Sequence, residues 1–194
     1  MRHAGNGTRH SEAVLYAFEK EVVPLNPIRL LEVGVENGGS LEVWRDVLPE
    51  GSEVVGIDVE PLCGELGLNV LIGDATDQEW LQEALGRQFF HVIVNSTGER
   101  LEKLWPWLVP GGVWMWEGYD TRDGMALVEA VNDDVPAWLP CEEIIRVAAW
   151  PEVLVVEKRT PKVVPYLEVL VGNFFDVVPE QTLMDSGIKR LIME

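Results

Sequence analysis

Residues Ile28 to Pro61, IRLLEVGVENGGSLEVWRDVLPEGSEVVGIDVEP, constrain the fold more than any other stretch of the chain. Ile28, Leu30, Leu31, Val33 and Val35 form a short apolar run bounded by glycine, too short for a helix and apolar enough for a buried strand. Glu32 interrupts it near its carboxyl end, where a parallel sheet opens toward a ligand crevice. Gly34, Gly38 and Gly39 permit a sharp turn and let a ligand lie against bare backbone. Ser40 suits the N-cap of a helix over Leu41–Leu48, whose free N–H groups would face that ligand. Val54, Val55 and Ile57 make the next strand, and Asp58 at its tip is placed to accept both hydroxyls of a ribose.

The dinucleotide fingerprint G-x-G-x-x-G requires a glycine two residues after Gly34, and this chain has Glu36 there. The pattern present is E-x-G-x-x-x-G, Glu32 to Gly38, with an acid ending the following strand. It resembles motifs I and II of the class I S-adenosylmethionine (SAM) methyltransferases. The wording LEVGVENGGSLEVW is similar to the branch that includes macrolide-sugar O-methyltransferases and methyltransferases of surface-polysaccharide clusters. There L-E-[IV]-G-[VI]-x-x-G-G-S-L-x-x-W recurs. The likeness covers Gly7 to Lys158, and its specific part is Leu31–Pro61. It implies an α/β fold: a Rossmann-like doubly wound sheet, mostly parallel with an antiparallel final strand, in three α/β/α layers. It also implies SAM as cofactor, held by Glu32, Gly34, Glu36, Gly38, Gly39, Ser40, Asp58, Asp74, Ala75 and Asn95.

Charge narrows the partner. Fifteen basic residues stand against thirty-three acidic ones, a net charge of −18. Nucleic-acid binding rests on Lys and Arg meeting phosphates, so this balance argues against a DNA or RNA substrate and against anionic membranes. No apolar run approaches a membrane span and no signal peptide opens the chain. Cys63 and Cys141 are far apart and form no metal-type pair, which fits a reduced, cytoplasmic setting.

The chain divides into an N-terminal arm and helix (1–27), a SAM-binding domain (28–159) and a C-terminal extension (160–194). Ser11 can cap a helix to about Val23, with Val14, Leu15, Phe18 and Val22 on one face. In the resembled branch a segment with G-T-x-H and a following tyrosine folds over the cofactor; Gly7, Thr8, His10 and Tyr16 match it, and a surface arm with a core tyrosine is the alternative. Asn69–Gly73 reads as the third strand. Asp74-Ala75 after it fits the family's adenine-contacting acid, while Asp74, Thr76 or Asp77 can equally cap a helix over Gln78–Gly86. Phe89–Asn95 is the fourth strand. Metal-dependent relatives end it in D-D-G-S-H, but here Val94-Asn95-Ser96-Thr97-Gly98 stand in that place. Hard divalent ions need several oxygen ligands, usually carboxylates, so the expectation is no metal site.

Leu101–Leu108 reads as a short helix, Val109–Gly112 as a turn and Val113–Glu117 as the fifth strand. Asp123 opens a helix to about Asn132. Ile144–Val147 and Val153–Glu157 are two strands too close in sequence to be parallel. Pro161, Pro165 and Pro179 punctuate an apolar extension that calls for burial against the domain or in a homodimer.

SAM carries its own reactivity, so the protein must chiefly bind, orient and exclude water. His10, Glu117 and Asp120 are the candidates for removing a proton from an acceptor. Trp114 or Trp116 is a candidate wall for a substrate ring. The resulting expectation is a SAM-dependent methyltransferase, independent of metal, acting on a small molecule or a sugar hydroxyl. The alternative is a SAM-binding protein without transfer activity, serving a regulatory or assembly role.

Overall fold

The computed structural model describes residues 12–22, 25, 28–97, 102–118, 139–150 and 153–160, with isolated positions between 122 and 129. By its contacts the chain divides into two units, Met1–Arg159 and Thr160–Glu194. The architecture below is that of the first; the extension, with the dimer contact expected of it, lies outside the described residues.

Helix α1 spans Glu12–Glu21 and strand β1 Arg29–Val33; α2 (Gly39–Val47) and β2 (Glu53–Asp58) follow. Then come β3 (Val70–Ile72), α3 (Gln78–Leu85), β4 (Phe90–Asn95), β5 (Leu108–Glu117), β6 (Ile144–Trp150) and β7 (Val153–Lys158). They build a seven-stranded sheet of order β3-β2-β1-β4-β5-β7-β6. Strands β3 to β5 are parallel, β7 runs antiparallel to β5, and β6 pairs antiparallel with β7. This is the doubly wound, mostly parallel sheet with an antiparallel closing strand that the sequence suggests.

Pleating divides the apolar residues of each strand between two cores. Leu30, Val92, Val94, Val113, Met115, Val153 and Val155 face α1 and α2, meeting Val14, Phe18, Leu41 and Trp44. Leu31, Val33, Ile93, Trp114, Trp116, Leu154 and Val156 face the other side, with Leu81 and Leu85 of α3 and the indoles of Trp105 and Trp107. Burial on both faces explains why these strands read as continuous apolar runs rather than alternating ones. Trp114 and Trp116 stack at 6.5 Å within this second core and are 3% and 2% exposed. Their strand is central and covered on both faces, so both indoles stand in the core.

Two local expectations change. The Val109–Gly112 segment is the kinked beginning of β5, not a turn before it. The ladder shifts register between Phe90 and Val92, and Gly111 takes φ 78°. A Cβ on Gly112 would lie 2.9 Å from the His91 carbonyl, so the close approach needs glycine. Before it, Glu102–Trp107 is a 3-10 segment rather than an α-helix; Pro106 inside it has no N–H to donate. The helix expected over 123–132 falls largely outside the described residues. Helix α1 is fastened to the β6–β7 edge by Arg146, whose guanidinium binds Glu21 and Glu157.

Candidate active site

A cavity of about 210 Å³ opens at the carboxyl ends of β1, β2 and β3, walled by Val33, Gly34, Ile57, Asp58, Val59, Gly73, Asp74, Ala75, Thr76 and Thr97. The sheet order reverses direction between β1 and β4, so this is its topological switch point, where such folds bind ligands.

Each rim is fixed by the chain's own hydrogen bonds. Gly34 leaves β1 with φ 92°, and its N–H donates to the Ile57 carbonyl at 3.0 Å. A Cβ there would lie 3.1 Å from Thr97 Cγ2 in a conformation L side chains avoid. Asp58 Oδ2 accepts the N–H groups of Val35 (2.8 Å) and Glu36 (3.0 Å), and Oδ1 accepts Glu60 N–H at 2.8 Å. This carboxylate therefore anchors the glycine loop to the tip of β2. Partial burial opposes its ionisation, but the backbone donors of Glu36, Glu60 and Val35, with the Cys63 thiol alongside, outweigh burial and hold its pKa below the usual range. Glu36 is held left-handed at φ 52°, with the buried Cys63 thiol donating to its carbonyl at 3.0 Å. Burial and the charges of Asp58 and Glu60 push that thiol's pKa up.

On the β3 side, Asp74 Oδ1 accepts both the N–H and the hydroxyl of Thr76 at 2.7 Å, while Oδ2 accepts no bond among the described residues. Those two bonds from Thr76 hold the Asp74 pKa low, aided by the charge of Lys103. The cap of α3 is Asp77, which accepts from Glu79 and Trp80 N–H. Of the capping candidates it takes that role, leaving Asp74 to the pocket.

On the β4 side the same turn recurs. Asn95 Oδ1 accepts the Thr97 N–H at 3.2 Å and the Thr97 hydroxyl at 2.9 Å. Between them, Ser96 N–H binds the Val33 carbonyl at 3.0 Å, and Ser96 Oγ donates to Glu117 Oε2 at 3.0 Å across the tips of β4 and β5. Among the described residues no group of three or more His, Cys, Asp or Glu side chains could hold a metal ion.

The cavity brings together Gly34, Asp58, Asp74 and Ala75 of the expected cofactor residues. Glu36, Gly38, Gly39, Ser40 and Asn95 do not line it. Ser40 is not the N-cap of α2: Gly38 is, with φ 78° and no side-chain cap, so the helix begins at Gly39 and Ser40 lies in its first turn. Glycine suits the position because φ 78° is left-handed, and a Cβ would also displace the Leu68 side chain. Glu32 is fully buried on the α2 side of the sheet, its Oε2 accepting Trp44 Nε1–H at 3.0 Å. Glu117 stands at the β5 tip beside Ser96, whereas His10 and Asp120 lie outside the described residues. Thr76, Thr97, Val59 and Gly73 line the cavity without having been singled out as binders.

A sheet of this order with its cavity at the tips of β1 to β3 is the fold of the class I SAM-dependent methyltransferases. No protein-family model matches the chain. Among curated proteins it is similar to the 8-demethyl-8-(2-methoxy-alpha-L-rhamnosyl)-tetracenomycin-C 3'-O-methyltransferase of Streptomyces olivaceus, 26% identical in a 169-residue alignment that covers 69% of this chain and 43% of that protein. Among solved structures it is similar to the MycE methyltransferase from the mycinamycin biosynthetic pathway in complex with Mg and SAH. There the TM-score is 0.63 at 18% identity, over 76% of this chain and 50% of that one. The O-methyltransferase from Bacillus cereus in complex with SAH matches with TM-score 0.51 at 12% identity, over 78% of this chain and 84% of that one. The chain thus spans half or less of the length of the first two relatives. It has the class I methyltransferase fold and, in sequence, resembles the sugar O-methyltransferase branch.

Proposed function

We propose that the cavity binds SAM and that the chain transfers its methyl group to a hydroxyl of a small molecule or a sugar. The observation that carries this reading is the convergence of Gly34, Asp58 and Asp74 at the switch point of the sheet. The residues fit the cofactor by their chemistry. Gly34 exposes backbone in a left-handed conformation, where a side chain would also crowd Thr97. The Asp58 carboxylate is at the place where a ribose diol binds, and it is held ionised by backbone donors. Asp74 Oδ2 is available to an exocyclic amino donor, and the small Ala75 next to it leaves room for a ring. When bound, the cofactor supplies an electrophilic methyl group. The chain's own task is to hold donor and acceptor in line and keep water out.

Transfer proceeds in this reading without a divalent ion. The β4 tip offers Asn95, whose oxygen is already engaged by Thr97, and the neutral hydroxyl of Ser96; Glu117 is the acid beside them. Such a donor set does not suit a hard cation. The large negative charge favours a small acceptor over a nucleic acid. The apolar stretch Val163–Val171, with Phe174 and Phe175, is assigned to a homodimer contact, which light scattering at high micromolar concentration tests: a monomer there removes it.

Calorimetry with SAM, SAH and NAD tests the binding reading, with heat expected for the first two only. Transfer of labelled methyl from SAM, with and without EDTA, tests activity and metal independence; abolition by EDTA would contradict the latter. The second reading, a SAM-binding protein without transfer, is favoured by the loss of carboxylates at the β4 tip. It takes precedence if SAH binds and no acceptor in a broad panel is methylated.

A further inference from the structure

We infer that Ser96 is a catalytic residue: its hydroxyl takes the proton of the acceptor hydroxyl while passing its own to Glu117. This rests on the proposed methyl transfer and deepens it, because it assigns the step for which the β4 tip provides no metal.

Ser96 follows β4 directly, and its N–H is tied to the Val33 carbonyl at the end of β1. Its neighbour Thr97 lines the cavity, with Cγ2 turned toward Gly34, and the Ser96 backbone carbon itself lies 3.5 Å from where a Gly34 Cβ would stand. The cavity occupies the tips of β1, β2 and β3, so Ser96 and Glu117 stand on its far side, at the tips of β4 and β5. A donor bound with its adenosine over Asp58 and Asp74 leaves that side for the acceptor.

A serine hydroxyl has one proton and two acceptor lone pairs. The Ser96 proton is committed to Glu117 Oε2 at 3.0 Å, and no group among the described residues donates to its oxygen. Ser96 is half-buried rather than sealed in the core. A carboxylate is the stronger base, but Thr97, the next residue after Ser96, is the one that walls the cavity, and Glu117 meets the Ser96 hydroxyl behind it. The relay therefore delivers the basicity of the carboxylate through a hydroxyl without a serine alkoxide accumulating.

The step balances. A bond forms between the acceptor oxygen and the methyl carbon, and the carbon–sulfur bond breaks with its electron pair passing to sulfur, giving a neutral thioether. The acceptor's proton moves to Ser96 Oγ as the Ser96 proton moves to Glu117. The carboxylate ends as a carboxylic acid, which returns its proton to water.

The experiment compares the full chain with S96A, S96T, E117Q and E117D, using methyl α-L-rhamnopyranoside and catechol as hydroxylic probes and labelled SAM as donor. SAH affinity is measured for every variant by calorimetry. The expected result is a loss in kcat of about 10²–10⁴-fold for S96A and E117Q, the range of a lost general base. S96T and E117D, which keep the hydroxyl and the carboxylate, recover a substantial part of the rate. SAH affinity stays within about threefold throughout, because a group acting only in the transition state leaves ground-state binding intact. In the wild-type complex with SAH, a crystal soaked with the sugar should place one hydroxyl within hydrogen-bond distance of Ser96 Oγ.

A S96A rate within about threefold of wild type overturns the assignment, and so does a loss of SAH affinity matching the loss of rate, which would mark Ser96 as a structural tie. A wild-type chain that binds SAH yet methylates neither probe also overturns it. Failure to bind SAH at all is a different outcome, and it removes the cofactor reading instead.

Discussion

Replacing Asp58 by Asn tests whether the carboxylate builds the pocket as well as serving it. In the structure one oxygen accepts two N–H groups from the glycine loop and the other accepts Glu60 N–H. An asparagine has one acceptor oxygen and one NH₂ group. Its best orientation keeps the oxygen on Val35 and Glu36 and turns the NH₂ toward Glu60 N–H, where donor meets donor. Two charge-assisted bonds become neutral ones, each weaker by about 1 kcal/mol, and the third is lost at an exposed position where water replaces it. Discounting for water access, D58N should lose about 2 kcal/mol at pH 7.

The sign of the pH dependence follows from the lowered folded-state pKa of Asp58. The ionised group contributes stability that is fully present above the unfolded carboxylate pKa and is lost as pH falls through the folded one. Protonated Asp58 then resembles Asn, so the gap between wild type and D58N should shrink on acidification below the ordinary aspartate range. Urea midpoints for both proteins at pH 7 and again in that acid range measure it. A gap that is equal at the two pH values refutes the reasoning, since it would assign the loss to shape rather than charge. SAH affinity should fall in D58N by more than the stability change explains, because the same group is the proposed ribose acceptor.

Three further perturbations separate the pocket from its supports. G34A forces a left-handed alanine, costing about 1–2 kcal/mol, and presses a methyl on Thr97; SAH affinity by calorimetry should drop at least about tenfold, and an unchanged value contradicts the placement of the cofactor. W44F removes the indole N–H from the buried Glu32 carboxylate and should cost about 1–3 kcal/mol in urea unfolding; a loss below about 0.5 kcal/mol would show that other groups satisfy the acid. G73A puts a methyl into the ring of Trp80, so the indole, carried by α3, must swing from its site over residue 73; near-ultraviolet circular dichroism should change and SAH affinity fall, whereas an unaltered spectrum would mean that the ring already stands elsewhere.

The strands were legible because burial on both faces writes them as unbroken apolar runs, and because the glycine turn after β1 and the acid after β2 have local causes. The side of the sheet on which Glu32 falls was less legible. An acid near the end of a strand suggests a ligand, but strand parity decides: Glu32 shares its face with Leu30, which packs against α1 and α2, so the carboxylate meets Trp44 rather than the cavity. That indole lies over Phe18 of α1, with ring centroids 4.1 Å apart. Trp44, twelve residues further on and within α2, therefore meets Glu32, and helical spacing alone does not reveal it. Ser40 misled for another reason. A good capping residue was present, but the left-handed entry at Gly38 began the helix ahead of it.

The two threonines of the pocket wall carried a signal that pattern reading passed over. Asp74-Ala75-Thr76 and Asn95-Ser96-Thr97 are the same three-residue turn at the ends of the parallel strands β3 and β4: in each, the first side chain's Oδ1 accepts both the N–H and the hydroxyl of the threonine. Asp58 forms a third such turn with Glu60 N–H at the end of β2. An Asp or Asn side chain that bonds backbone two residues on imitates a backbone turn, so it stops the strand and bends the chain locally. At the carboxyl edge of a parallel sheet, that bend lays the next two residues along the crevice. Three strand tips thus use one device, and between them they contribute Asp58, Val59, Asp74, Ala75, Thr76 and Thr97 to the wall. The role of the polar residue at each tip follows from what its second oxygen, or its successor, still has to offer. Asp74 keeps an acceptor for a ligand, Asp58 gives most of its capacity to the glycine loop, and Asn95 gives its oxygen to Thr97, leaving Ser96 to face Glu117.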